Sequence, residues 1–123
     1  MKRLLLLLII TLTSNLYSQN FDCDKRGEYL DTEEASLKEL HDAHNKSYEK
    51  GASLLSEVNS ITKQLSNMHT DSYGYQDLKD RYEKIGKAYD IIVERSNTLQ
   101  KELTDKISRF NKDVKEFNKK CKD

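Results

Sequence analysis

The chain has 123 residues, 34% of them charged, with 21 basic side chains against 21 acidic ones and neither Trp nor Pro. That length suits one domain, and the balanced charge excludes the basic excess expected of a nucleic-acid-binding protein. With no proline to interrupt long helices and only 36% apolar residues, the composition points to thin helices that each bury one stripe.

The first eighteen residues read as an export signal rather than as part of the fold. Met1-Lys2-Arg3 is basic, Leu4 to Leu12 is apolar apart from Thr11, and Thr13 to Ser18 is polar and ends in a small residue. Cleavage after Ser18 is the expected processing step. The apolar run is about nine residues, well short of the roughly 20 that span a bilayer as a helix. The expectation is therefore a periplasmic or secreted protein with no membrane insertion once the signal is removed. Loss of Lys2 and Arg3 takes the 21 bases to 19 against 21 acids, a net charge near −2.

Residues 19–31 are expected to form an extended segment, because Asp31 with Glu34 three residues later resembles a capping box and sets a helix start near Thr32. From Leu37 the apolar and small positions step by three and four through Leu40, His44, Ser47, Gly51, Leu54, Val58, Ile61, Leu65 and Met68. That is a heptad seam and predicts a helix over about 32–69. The period is lost in Thr70-Asp71-Ser72-Tyr73-Gly74-Tyr75-Gln76, a turn by composition. A second helix, capped by Asp77 and running over about 77–121, carries the seam Leu78, Tyr82, Ile85, Tyr89, Ile92, Ser96, Leu99 and Leu103. After an extra four-residue step, a stutter, the seam continues through Ile107, Phe110, Val114, Phe117 and Cys121. Acid-to-base pairs such as Glu83/Lys87 and Glu116/Lys120 at i,i+4 support the same helix by a few tenths of a kcal/mol each.

The fold class is thus all-α, a long antiparallel two-helix hairpin of coiled-coil type. Folding about the turn with Met68 opposite Leu78 makes paired numbers sum to 146. That register sets Leu54 against Ile92, Gly51 level with Ser96, and Cys121 near Cys23. It also brings the acidic residues 20–45 beside the basic residues 101–123, which agrees with both helix dipoles. An exported chain with two cysteines favours a disulfide, so Cys23–Cys121 within one chain is expected. A break of both helices at Gly51 and Ser96, giving a three-helix bundle, is the alternative architecture.

Several residues stand out as candidates for function. His41 and His44 have a spacing that could serve one metal, but no third ligand accompanies them, and no cofactor is expected. There is no glycine-rich loop, nucleophile elbow or cysteine–histidine pairing, so the chain is not expected to be an enzyme. Tyr73 and Tyr75 mark the turn as a recognition tip, unless they fold back over Met68 and Leu78. In the same register Leu55 and Ile91 share a level on the flank, near Tyr48, Ala52 and Val93, and two helices alone cannot bury that flank. Pairing with a second copy into a four-helix bundle, or docking on a partner protein, would bury it. The sequence therefore points to a non-enzymatic helical protein-interaction module. A periplasmic holdase chaperone or adaptor, and a metal-binding helical bundle, are the alternatives.

Overall fold

A computed structural model describes residues 21–122; the expected signal peptide, residues 1–18, lies outside the described residues. Among the described residues there are two helices and no strands: α1, Cys23–Ser66, and α2, Tyr75–Cys121. They pack against each other as a helical hairpin. No helix among these residues is long and apolar enough to cross a membrane.

Helix α1 begins at Cys23, not near Thr32, so residues 23–31 are helical rather than extended. Asp22 is the reason. Its Oδ1 accepts from the backbone N–H groups of Asp24 at 3.1 Å and Lys25 at 3.2 Å, and its carbonyl accepts from Arg26. This is an N-cap, which satisfies donors that the first helical turn otherwise leaves open. Asp31 lies inside the helix, where the Thr32 hydroxyl donates to the Glu28 carbonyl. At the other end α1 stops at Ser66, and Asn67 and Met68 close the last turn by donating to Gln64 and Leu65. Ser72 then donates to the His69 carbonyl and Tyr75 to that of Ser72, with Gly74 at φ +83°. A side chain there would be strained, so glycine is required to reverse the chain. The Gly74 carbonyl accepts from Leu78, which starts α2 two residues before the expected Asp77.

The seam predicted for α2 is the inward face. Leu78, Ile85, Tyr89, Ile92, Ser96, Leu99, Leu103, Phe110, Val114, Phe117 and Cys121 are half-buried, whereas Tyr82 and Ile107 are more open. The helix runs unbroken through the stutter and through Ser96, just as α1 runs through Gly51. The hydroxyls of Thr98 and Thr104 donate to the carbonyls of Glu94 and Gln100, four residues back, as in any helix interior. The three-helix alternative is therefore wrong for the described residues.

The packing forms two compact units. The disulfide unit comprises residues 21–35 and 108–122. Cys23 and Cys121 are bonded, with Cα atoms 5.8 Å apart. Leu30 is buried, and the ring of Phe117 lies over Gly27, where a methyl group would meet it at 3.8 Å. Arg26 joins the two helices through Asp113 at 3.0 Å and stacks over the Tyr29 ring. Lys120 bonds Glu116 at 2.8 Å and lies over the Phe21 ring. The hydrogen bond from Lys120, and then its charge, hold the Glu116 carboxyl below its ordinary pKa.

The loop unit comprises Ser36–Ile107. Ile61 is its most buried side chain, at 2% exposure. The hydroxyls of Ser47 and Ser96 bond across the seam at 2.8 Å, and a Cγ of Ile92 sits over Gly51. Lys106 Nζ donates to Ser36 Oγ at 2.9 Å, and Arg81 pairs with Glu57.

These contacts correct the register. Ser47 with Ser96 and Gly51 with Ile92 sum to 143, and Cys23 with Cys121 and Gly27 with Phe117 sum to 144, not 146. The closed last turn of α1 and the tight turns over 69–75 place the point of reversal earlier than the pairing of Met68 with Leu78 assumed. Since seam positions are themselves three and four apart, a shift of this size slides seam onto seam and leaves the inward face intact. The expected small-to-small level of Gly51 and Ser96 is replaced by a large residue over a small one, Ile92 on Gly51.

Candidate interaction surface

Within the loop unit each helix has residues on either side of its seam, and the two sides differ in chemistry. One edge is marked by the Glu57–Arg81 ion pair. Along it the positions Lys46, Lys50, Glu57, Arg81, Lys84 and Arg95 are charged, with Ser53, Ser60, Ala88 and Ile91 between them. On the other edge α1 presents Asn45, Tyr48, Ala52, Leu55, Asn59 and Thr62, none of them charged. There, at the same levels, α2 presents Glu83, Gly86, Asp90, Val93 and Asn97, of which Glu83 and Asp90 are charged. Six charges against two at matched levels is an asymmetry in a chain one-third charged overall.

The less charged edge holds a groove of about 270 Å³, walled by Tyr48, Ala52 and Leu55 of α1 and by Tyr89, Val93 and Asn97 of α2, with Gly51, Ile92 and Ser96 at its floor. The floor exists because Gly51 and Ser96 are small and let the backbones sink between larger neighbours. The rim is open: Tyr48 is 68% exposed, Leu55 41% and Val93 37%. Such a groove is too small and too open to bury most of a small molecule, for which roughly 300–1,000 Å³ of enclosed space is usual. It is wide enough for side chains of another helix.

The structure therefore brings Tyr48 and Leu55 together but separates Leu55 from Ile91. Ile91 and Val93 stand about 100° to either side of Ile92 on a helix of 3.6 residues per turn. Val93 takes the place beside Leu55 that was expected for Ile91. Ile91, 66% exposed, stands outside the groove. Ala52 and Val93, expected near this flank, and the seam residue Tyr89 complete the surface.

At the turn the two tyrosines part company. Tyr73 is fully exposed, whereas Tyr75 is the first residue of α2 and half-buried. His41 is exposed, with its Nδ1 3.3 Å from the amide nitrogen of Asn45, and His44 is half-buried near the seam. Among the described residues no cluster of three His, Cys, Asp or Glu side chains is placed to hold a metal ion.

No family model, no curated protein and no solved structure matches this chain.

Proposed function

We propose that the protein is a non-enzymatic, exported helical module that binds another protein through the less charged edge of its loop unit. The observation that carries this reading is the open groove of Tyr48, Leu55 and Val93. Apolar residues widen the inward stripe of both helices there, on one edge and at one level. A two-stranded coiled coil needs only the seam, whereas a helix that packs on several neighbours adds one flanking position per heptad. Export is supported by the basic and apolar start of the sequence together with the disulfide, a bond that persists in oxidising compartments. Tyr73 at the turn offers a second, smaller contact.

The test is to express the full chain with a C-terminal tag in its own host, cross-link intact cells and identify what is captured. This reading expects one stoichiometric protein, lost with Leu55→Glu and retained with Ile91→Glu. A broad set of unfolded proteins would replace it with the holdase reading, and capture indifferent to Leu55 would show that the groove is not the binding surface.

A further inference from the structure

The disulfide unit carries a charged face that its own packing does not use. On α2 the side chains of Lys112, Lys115, Lys119 and Lys122 are exposed and step by three, four and three. At 100° per residue they fall within an arc of about 80°, along about 15 Å of the helix. The inward seam of Phe110, Val114, Phe117 and Cys121 lies on the far side. Ser108, Asn111 and Asn118, on the stripe or at its margin, are uncharged. The two acids of this stretch stand off the stripe and are engaged elsewhere, Asp113 with Arg26 and Glu116 with Lys120; Asp123 lies outside the described residues. Among the described residues none of the four lysines makes a hydrogen bond or an ion pair, although the charge of Lys112 helps to lower the pKa of Glu116. The helix dipole favours bases in the last turn only. It accounts for Lys119 and Lys122 and leaves Lys112 and Lys115 without a structural role.

We propose that this stripe rests on a membrane surface rich in anionic phospholipid, lysine against headgroup phosphate, without insertion. The make-up of the stripe decides the class of partner. Protein interfaces have an apolar centre and are depleted in lysine, whereas lysine supplies every charge here and no apolar side chain lies between. Lysine is a compact charge on a flexible stem, which suits a fluid layer of headgroups with no fixed geometry. The outer face of a helix is convex and encloses no free ion, but it can lie along a plane. A plane touching the stripe also keeps its distance from the acids of the same unit. Asp24, Glu28 and Asp31 belong to α1, whose axis is about 8–10 Å farther back. That is about one Debye length at physiological ionic strength, so the lysines outweigh the carboxylates at the surface. The proposal uses residues apart from the groove and rests on the reading of the chain as exported, which brings it to lipid surfaces rather than to nucleic acid.

The experiment is flotation of the protein purified from its host, disulfide intact, with two kinds of vesicle. One is phosphatidylglycerol and phosphatidylcholine in equal parts, the other phosphatidylcholine alone. The wild type is expected to float with the first and not with the second, and to be released as salt is raised. A lysine near an anionic surface strengthens binding by about fivefold, so Lys112→Gln with Lys115→Gln is expected to weaken it by about 25-fold. Lys46→Gln with Lys50→Gln removes the same charge from exposed positions of the loop unit and is expected to change nothing. Circular dichroism of both double variants shows that the helices are kept. Absence of flotation with the mixed vesicles overturns the proposal, as does equal flotation with phosphatidylcholine alone. Equal losses from the two double variants also overturn it, because total charge rather than the stripe would then be at work. Binding to soluble polyglutamate without flotation assigns the stripe to an acidic protein and removes the membrane. Leu55 stands outside the stripe, so this test and the capture experiment on the groove fail independently.

Discussion

Replacing both Cys23 and Cys121 by serine is expected to unfold most of the protein at physiological temperature. The bond joins residues 98 apart in sequence. In the chain-entropy account, a closed loop of about 100 residues destabilises the unfolded state by about 4.7 kcal/mol at 25 °C. Ordinary domains are stable by only about 5–15 kcal/mol, and this one has little core: Leu30 and Ile61 are the buried apolar residues among those described. Total stability should lie near the low end of that range, so the bond accounts for most of it. With roughly 4–8 °C in Tm per kcal/mol for a domain of this size, the midpoint should fall by about 20 °C or more. The assay is urea and thermal unfolding followed by helical circular dichroism, at dilutions where copies do not associate, because association would add stability of its own. Wild type treated with a reductant should match the double variant. A loss of less than about 1 kcal/mol would refute the reasoning, since the helices would then be held by packing alone.

Three further outcomes follow from single contacts. Ser47→Ala or Ser96→Ala should each cost about 0.5–1.5 kcal/mol, because each leaves a hydroxyl of the 2.8 Å pair without its partner. The double variant should cost less than the sum, and a urea-melt cycle that is strictly additive would show that the bond contributes nothing. Gly86→Ala should raise stability by about 0.8–1 kcal/mol, since a methyl group there meets nothing within 4 Å and alanine is the better helix former; an unchanged urea midpoint would contradict this. The Glu116 carboxyl is held below its ordinary pKa by the hydrogen bond and charge of Lys120. Its contribution is therefore complete above the ordinary carboxylate range and is lost as pH falls through the depressed value. A small excess of wild-type Tm over Glu116→Gln should thus be seen at neutral pH and vanish in acid, and a gap that widens in acid would reverse the sign of the argument.

Most of the fold was legible because its signals repeat. The steps of three and four through Leu54, Val58 and Ile61, and through Ile85, Tyr89 and Ile92, fixed both helices and their inward faces. Gly74 among turn residues fixed the reversal, and two cysteines at the projected ends fixed the disulfide. What escaped was local or depended on register. The start of α1 was missed because Cys23, Gly27 and Leu30 form a seam of mixed sizes that hydropathy alone does not reveal, and because Asp31 and Glu34 imitate a cap while Asp22 provides one. Register was off by two or three residues because periodicity cannot say how many residues the loop consumes. Val93 rather than Ile91 stands beside Leu55 for a different reason: in an antiparallel pair the residues that follow their seam positions share an edge, as Leu55 follows Leu54 and Val93 follows Ile92, whereas Ile91 precedes it. Tyr48 and Leu55 were found because an apolar residue beside the seam is visible without knowing its opposite number.

The central claim is that the groove beside Leu55 is covered by protein in the cell. The most direct measurement places a photo-activated cross-linking residue at position 55, and separately at 91, in the full chain expressed in its own host. Both side chains are exposed in the single hairpin, Ile91 more so than Leu55, so exposure alone predicts more adduct from 91. The account predicts a discrete cross-linked species from position 55, this chain joined to one protein, and little from 91. Equal adducts from both positions, or none from 55, would contradict it.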